Sequence, residues 1–250
     1  MHLENKLMKQ VKINPANLDY SMFGPADYLN FILQRSEILY DVHKSGRMIK
    51  NWSNGQGDEL DAVVAEKGAV LVERTVQFIS DEFAELRATL DLIAPKTIAD
   101  IGCGYAVFDL FAAKTYNSKI HLIDVEQNDI RHFGFEDKAS AYSNLSIAKA
   151  LLTKNGIPSA DVTLSNPEKT DIMDTSPVDL AVSFLACGFH FPVDSYMPYF
   201  KEKINPGGHI IVDIRKRTYS KQSQVLAALG TLTILREAHN YVRVLVSKPT

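Results

Sequence analysis

The sequence predicts an α/β fold in which a mostly parallel sheet, covered by helices on both faces, ends in an antiparallel hairpin. From residue 96 onward, short β-branched runs alternate with helical stretches, a pattern typical of parallel sheets. The last two β-rich runs, TLTILRE and NYVRVLVSK, are separated by only a few polar residues, which favours a hairpin over a crossover. Residues 1–95 show helical periodicity and little strand signal, and they predict a helical cap before the sheet.

The elements of the second part follow from this alternation. The candidate strands are 97–101, 119–124, 161–165, 178–184 and 208–214, followed by the two runs of the hairpin. The candidate helices lie near 106–115, 141–155, 193–203 and 219–229. Together these elements predict a sheet of seven strands over residues 96–250.

The helical first part contains two segments with helical spacing of apolar residues, and a polar segment lies between them. Pro25 begins the helical stretch PADYLNFILQRSEILYDVH, and KSGRMIKNWSNGQGDE, which contains Trp52, is interpreted as a polar connection. A stripe of apolar residues at steps of three and four then predicts a helix of about 25 residues that ends before Pro95. Its members are Val72, Val76, Ile79, Phe83, Leu86, Leu90 and Ile93. Such a stripe packs on the core of its own chain or on a second copy, so a homodimer through the N-terminal helices is a further expectation.

Composition excludes several classes of protein. The chain has 250 residues, of which 46% are hydrophobic and 23% charged, as in ordinary globular proteins. Its net charge of −3 gives no global electrostatic case for binding nucleic acid or an anionic membrane. No run approaches a membrane span, and MHLENKLMKQ lacks the apolar core of a signal peptide. We therefore expect a soluble, cytoplasmic protein with no membrane partner.

Metal and disulfide chemistry are not expected either. The two cysteines, Cys103 and Cys187, are too few for a metal cluster and do not suggest a disulfide framework. The histidines show no ligand spacing with cysteines or carboxylates, so no catalytic metal is predicted.

The segment TIADIGCGYAVFDLFAAKTYNSKIHLID reads as a strand, a glycine-containing turn, a helix and a second strand that ends in a carboxylate. This arrangement is typical of nucleotide-type cofactor sites. A dinucleotide site requires a third glycine where this chain has Val107 after Gly102 and Gly104. A nicotinamide-dependent oxidoreductase is therefore disfavoured.

The same turn resembles motif I of the class I S-adenosylmethionine-dependent methyltransferases, with Ala106 in place of the last glycine. The acid Asp124 after the second strand, the NPGG before the fifth strand and the closing hairpin extend this resemblance over about residues 96–250. It implies a Rossmann-like domain that binds S-adenosylmethionine (SAM), preceded by a cap and substrate lid over residues 1–95.

The resemblance also implies roles for individual residues. Asp100 would bind the ammonium group of SAM. Gly102, Cys103 and Gly104, which have no side chain or a small one, would let SAM approach the backbone of the turn closely. Asp124 would accept hydrogen bonds from the ribose hydroxyls, with Glu126 as a possible substitute. The cofactor set is completed by Val125, Phe184 and, at the adenine edge, Asn166 with Glu168 as a further candidate. The alternative for both aspartates is a capping or turn role.

The loop after the fourth strand, SFLACGFHFPVDSYMPYF, is expected to face the transferable methyl group, because ligands sit beyond the carboxyl ends of parallel strands. His190 between two phenylalanines is the candidate general base for a hydroxyl acceptor, with substrate binding or a structural hydrogen bond as alternatives. Tyr196, Arg215 and Trp52 are candidate acceptor contacts, although Arg215 belongs to a charged run of a kind that is more often a solvated loop. The N-P-P motif of amino-group methyltransferases does not follow this strand.

These observations predict a SAM-dependent methyltransferase acting on a hydroxyl of a small molecule. Three segments, YSNLSIAKALLTKNGIP, GFHFPVDSY and NPGGHIIVDIRKR, are similar in arrangement to sugar O-methyltransferases, which implies a saccharide or another polyol as acceptor. RNA is a less favoured acceptor because no basic stripe with interleaved aromatic residues is present. The alternative from another class is a non-catalytic scaffold subunit that retains the methyltransferase fold.

Overall fold

The computed structural model describes residues 13–126 and 144–250, in which helices cover both faces of one sheet. The helices are α1 (Pro25–Gln34), α2 (Ser45–Ser53), α3 (Asp58–Ile93), α4 (Val107–Tyr116), α5 (Leu145–Lys154), α6 (Met197–Glu202) and α7 (Tyr219–Ala227). The strands are β1 (Thr97–Ile101), β2 (Lys119–Ile123), β3 (Val162–Ser165), β4 (Val178–Ser183), β5 (Ile204–Arg215), β6 (Thr231–Glu237) and β7 (Tyr241–Ser247).

The strands form a seven-stranded sheet in the order β3-β2-β1-β4-β5-β7-β6. The pairs from β3 to β5 are parallel, whereas β7 lies antiparallel between β5 and β6. The predicted mostly parallel sheet with a C-terminal antiparallel hairpin is thus confirmed. The strand order reverses between β1 and β4, and the crevice at such a switch point is where ligands bind in open α/β sheets.

Two apolar cores lie on the two faces of the sheet. Helices α1, α3, α4 and α5 pack into the larger core, and α6 and α7 pack into the other one. Strands β1 and β4 contribute to both cores, because successive side chains of a strand point to opposite faces. The cap helices therefore share a core with the sheet instead of forming a separate one.

The predicted apolar stripe of α3 packs against the protein's own core. Val72, Val76, Phe83, Leu86 and Leu90 are buried. The Phe83 ring contacts two phenylalanines of α4, with centroid distances of 5.6 and 5.7 Å. The stripe thus packs within the chain. The homodimer through the N-terminal helices stays a prediction.

Two expectations for the cap were wrong in detail. The segment interpreted as a polar connection contains helix α2, because Met48 and Ile49 lie four and three residues before Trp52 and share an apolar face with it. Helix α3 has 36 residues rather than about 25, with non-helical backbone angles at Gly68. Its start at Asp58 was missed because the glycine separates two apolar patterns that belong to one element.

The remaining boundaries differ less from expectation. Strand β5 begins at Ile204, so the NPGG lies inside it, at an irregular stretch of its pairing with β4. The predicted helix 193–203 is a short 3₁₀ turn followed by α6. Residues 1–12 of the predicted cap and 141–143 of a predicted helix lie outside the described residues. Among residues 13–126 and 144–250, no helix has the length and apolar character needed to cross a bilayer.

Candidate functional site

A cavity of about 360 Å³ lies where the carboxyl ends of β1, β2 and β4 meet the cap helices α1 and α3. Its volume is within the range of small-molecule sites. The structure brings most of the predicted site residues into its lining: Asp100, Gly102, Cys103, Gly104, Asp124, Val125, Phe184, His190 and Tyr196. From the cap, the lining includes Phe31, Leu33, Gln34, Arg35, Ile79, Glu82 and Leu86.

The glycine turn after β1 requires glycine at two positions. Gly102 has a φ of +75°, and a Cβ there would lie 2.3 Å from the Cβ of Ala186 in the loop after β4. Gly104 has a φ of +56°, and the side chain of Gln34 lies 3.3 Å from where its Cβ would be. The backbone of the turn is therefore approached closely from two sides, by the β4 loop and by the cap.

Asp124 is tied to this turn. Its Oδ2 accepts a hydrogen bond from the Gly104 amide at 2.8 Å, and its own amide donates to the Ser165 carbonyl at 3.2 Å. The amide of Gly102 donates to the Ile123 carbonyl at 2.7 Å. These bonds hold the turn against the end of β2 and fix the Asp124 carboxylate at the cavity wall.

Asp100 lies at the other side of the turn and is only 4% exposed. Its Oδ1 has no hydrogen-bond partner among the described residues. Burial raises the pKa of Asp100 well above its ordinary value, and the neighbouring carboxyls of Asp109 and Asp124 raise it further. The cavity therefore contains a carboxyl group that would gain from a hydrogen-bond donor or a cation.

The cap is anchored to the turn through Tyr105. The Tyr105 hydroxyl donates to Oδ1 of Asp27 at 2.6 Å and accepts from Nδ2 of Asn30 at 2.8 Å. Its ring lies against Phe23 and Phe31, at centroid distances of 5.2 and 4.7 Å. Asp27 and Asn30 are buried residues of α1. Their hydrogen bonds to Tyr105 therefore fix the position of α1 against the glycine turn from inside the core.

His190 is held in a compact loop after β4. Its amide donates to the Ala186 carbonyl at 2.8 Å, and the Gly188 amide donates to the Phe191 carbonyl at 2.7 Å. The His190 ring lies edge-on to Phe189, with a centroid distance of 5.2 Å. Burial, followed by the positive charge of Arg215, lowers the pKa of His190 to about 4. The imidazole is therefore neutral at pH 7, because burial and the Arg215 charge both disfavour its protonated form.

Tyr196 closes the same side of the cavity. Its ring lies 5.7 Å from that of Phe191, and burial raises the pKa of its hydroxyl, which stays protonated at neutral pH. Cys103 is buried, and burial likewise raises the pKa of its thiol. A buried neutral thiol is a filler of the turn rather than a nucleophile.

Three predicted residues lie outside the cavity lining. Arg215 supports the His190 loop from behind, because its Nε donates to the Phe189 carbonyl at 2.9 Å and its guanidinium lies 4.1 Å from the ring centroid. Asn166 forms the turn after β3, where its Oδ1 accepts from the Glu168 amide at 3.0 Å. Trp52 packs within the cap against Gly57.

Sequence reasoning missed a group of charged residues in the cavity wall. Arg35 at the end of α1 binds Glu82 of α3 with two hydrogen bonds, of 2.7 and 3.2 Å. Arg243 of β7 binds Asp213 of β5 at 2.7 and 2.9 Å, and its guanidinium lies 4.5 Å from the Phe184 ring centroid. Burial alone would raise the pKa of Glu82, but Arg35 lowers it below its usual value, so the carboxylate is ionised.

One of these pairs left a signal in the sequence. Asp213 and Arg243 are single charged residues inside two apolar strands, and they are direct cross-strand partners. Opposite charges in two apolar strands that are neighbours in the sheet indicate such a pair. Arg35 and Glu82 left no comparable signal, because 47 residues separate them and only the packing of α1 on α3 joins them. Within the described residues, no group of three or more histidine, cysteine or acidic side chains is arranged to hold a metal ion.

Comparisons with known proteins support the fold. No family model matches the sequence, and no curated protein matches it significantly. A SAM-dependent O-methyltransferase from Thermotoga maritima is 15% identical with a TM-score of 0.50, over 68% of this chain and 65% of that one.

Two further solved structures have lower TM-scores. An O-methyltransferase of tomaymycin synthesis from Streptomyces achromogenes, solved with SAM, is 14% identical with a TM-score of 0.48, over 68% of this chain and 80% of that one. A ribosomal protein L11 methylase from Lactobacillus delbrueckii subsp. bulgaricus is 20% identical with a TM-score of 0.46, over 62% and 71%. At such identities a likeness shows the fold alone. The Thermotoga structure confirms the expected Rossmann-like methyltransferase fold.

Proposed function

We propose that this chain is a SAM-dependent methyltransferase that transfers a methyl group to a hydroxyl of a small molecule. The observation that carries this proposal is that the glycine turn, Asp100, Asp124 and a neutral His190 line one cavity. The fold shared with the O-methyltransferase of Thermotoga maritima supports the reaction class.

The chemistry of the lining fits SAM. The bare backbone of Gly102 and Gly104 would allow an adenosine and an amino-acid tail to approach closely, and a Cβ at Gly102 would collide with Ala186 and displace the turn. The unpartnered oxygen of Asp100 would accept from the ammonium group, and Asp124, fixed by the Gly104 amide, would accept from the ribose hydroxyls. Val125 and Phe184 would supply apolar contacts. Bound SAM supplies an electrophilic methyl group on a sulfonium.

His190 is the proposed general base. The imidazole would accept the proton of the acceptor hydroxyl as its oxygen attacks the methyl carbon, for which the ring has to be neutral, as it is at pH 7. Phe184, Phe191 and Tyr196 line the cavity beside His190 and would exclude water from the reacting groups. Arg215 would act indirectly, by holding the carbonyl and ring of Phe189.

The acceptor would enter from the side of the cap, with a saccharide or another polyol as the proposed class. The Glu82 carboxylate lines the cavity, and its oxygens can accept further hydrogen bonds from acceptor hydroxyls while Arg35 holds them in place. Phe108 and Phe184, whose rings lie 4.6 Å apart, offer an apolar surface for the carbon skeleton. We therefore assign residues 1–95 to acceptor enclosure and residues 96–250 to cofactor binding, with Trp52 supporting the cap from within.

Calorimetric titration with SAM tests the cofactor assignment. Wild-type protein should bind SAM, and Asp124→Ala should weaken binding at least about tenfold, equivalent to 1.4 kcal/mol. Asp174→Ala, which removes an exposed carboxylate after β3, is the matched control and should bind as wild type. Unchanged affinity of Asp124→Ala contradicts the ribose role, and absence of SAM binding by the wild type favours the non-catalytic scaffold.

A methyl-transfer assay tests the reaction class and the base. Methyl-labelled SAM would be incubated with a panel of saccharides and polyols, and with short RNA as the contrasting acceptor. His190→Ala should lower turnover on an accepted substrate by about 10² to 10⁴, the range typical of a positioned general base, while SAM affinity stays near that of wild type. Full turnover of the variant removes His190 from the role of base.

A further inference from the structure

Asp109 is a buried carboxyl group to which the proposed reaction gives no role. It lies in the first turn of α4, is fully buried, and neighbours Asp100 across the glycine turn. No other described residue donates a hydrogen bond to either Asp109 oxygen, and Oδ1 of Asp100 likewise has no donor. The two carboxyls interact with each other, and their contact becomes a hydrogen bond only when one of them holds a proton.

Burial makes a double negative charge at this place costly. Burial raises the pKa of Asp109 to about 7, and it raises that of Asp100 well above its ordinary value, with Asp109 and Asp124 adding to the effect. Two carboxyls in contact within a low-dielectric site do not both ionise readily, so the pair retains one proton near neutral pH.

The surrounding charges do not compensate the pair. Asp124, the neutral Cys103 and the buried Tyr105 are the other ionisable groups at the turn. The guanidinium groups in the cavity wall are engaged elsewhere, Arg35 by Glu82 and Arg243 by Asp213. Within the described residues, no cationic side chain forms an ion pair with Asp100 or Asp109. His190 also lines the cavity but is neutral near pH 7.

We propose that Asp100 and Asp109 form a proton-sharing pair that recognises a cationic group: without a bound cation the pair holds one proton, and the ammonium group of SAM displaces it to solvent. This inference rests on the proposed function, because it takes SAM as the ligand. In this exchange a carboxyl O–H bond breaks and the proton goes to the buffer. The resulting carboxylate accepts an N–H hydrogen bond from the ammonium group in its place.

The two residues have different roles in this pair. Asp100 lines the cavity and touches the ligand, whereas Asp109 lies behind it and acts through it as a positioning residue. Affinity for the ammonium-bearing ligand should therefore rise with pH while the pair still holds its proton, by at most about tenfold per pH unit for one displaced proton. Above that range the pair is already ionised and the dependence ends.

Calorimetry in two buffers of different ionisation enthalpy, at pH 6.5, measures the displaced proton directly. S-Adenosylhomocysteine carries the ammonium group, and methylthioadenosine shares its adenosine but lacks the amino-acid tail. At pH 6.5 an α-amino group is almost fully charged, since its pKa is about 8. We expect release of about one proton with S-adenosylhomocysteine and close to none with methylthioadenosine.

Asp109→Asn is the informative variant. Its side-chain amide donates to Asp100 permanently, so Asp100 is already ionised and S-adenosylhomocysteine should release less than about a third of the wild-type proton count. Its affinity at pH 6.5 should equal or exceed that of wild type, whereas a residue with a merely structural role would weaken binding on substitution. Asp174→Asn removes one exposed carboxylate and should behave as wild type.

The outcomes separate the two proposals. Equal proton release with both ligands, or release by Asp109→Asn equal to that of wild type, overturns the proton-sharing pair and leaves the proposed function intact. Absence of binding by SAM and S-adenosylhomocysteine overturns both. If Asp109→Asn does not fold, the comparison of the two ligands on wild-type protein decides the question alone.

Discussion

Replacing Tyr105 by phenylalanine should loosen the cap from the glycine turn. The hydroxyl donates to Asp27 at 2.6 Å and accepts from Asn30 at 2.8 Å, and all three residues are buried. The variant keeps the ring and its contacts with Phe23 and Phe31, and it removes both of these hydrogen bonds. The change therefore isolates the polar part of the anchor.

The expected loss of stability follows from the two hydrogen bonds that the Tyr105 hydroxyl makes. A hydrogen bond to a charged group contributes about 1.5–3 kcal/mol and a neutral one about 1 kcal/mol, so the free energy of unfolding should fall by about 2–4 kcal/mol. Oδ1 of Asn30 already has no hydrogen-bond partner among the described residues, which leaves this amide poorly placed to compensate. For a chain of this size, each kcal/mol lowers the melting temperature by about 2–4 °C, so a loss of about 5–15 °C is expected.

Urea unfolding measures this loss. The midpoint should fall without a change in the slope m, because the native and unfolded states keep their surface areas. Tyr40→Phe is the matched control, since Tyr40 is 70% exposed and the same hydroxyl is removed from a solvated position. A double-mutant cycle with Asp27→Ala should give a coupling energy above about 1 kcal/mol. A loss for Tyr105→Phe below about 0.5 kcal/mol, as expected for a surface substitution, would refute this reasoning.

Three further substitutions test other parts of the site. Gly102→Ala should abolish SAM binding in calorimetry, because its methyl group would lie 2.3 Å from Ala186 in a backbone conformation that favours glycine; near-normal affinity would contradict this. Arg243→Met leaves the buried Asp213 without its ionic partner, so the free energy of unfolding measured by urea denaturation should fall by about 3–5 kcal/mol. Adding Asp213→Leu removes the unpaired group and should restore most of this loss. Since the folded-state pKa of Asp109 is raised from 3.8 to about 7, stability is lost as pH rises through that interval. Asp109→Asn should therefore gain stability relative to wild type as pH rises from about 4 to about 7, and a constant difference would argue against it.

The sheet was predictable because its signals are local. Strand and helix alternation, the short link before β7 and the glycines of the turn each lie within a few consecutive residues, and each constrains the backbone by itself. Asp100 and Asp124 could be placed for the same reason, since each ends a strand beside the turn. The carboxyl ends of parallel strands then bring them to one cavity.

The cap side of the cavity could not be predicted because it depends on packing between distant segments. Arg35 and Glu82 meet only through the contact of α1 with α3, and nothing near either residue in the sequence indicates the other. Asp109 was overlooked for a related reason. Within an amphipathic helix a single aspartate reads as solvent-facing, and only the structure shows that this face of α4 is turned inward.

The position of β7 has a consequence for biosynthesis. This strand supplies Arg243 to the cavity wall and lies between β5 and β6 in the sheet, although it follows both of them in the chain. A ribosome-bound chain that has not yet released residues 241–247 cannot complete the sheet, and the apolar β5 is left with an open edge. Open edges of this kind pair with other chains. Premature termination before β7 should therefore yield aggregates, and completion of the sheet has to wait until residues 241–247 have left the ribosome.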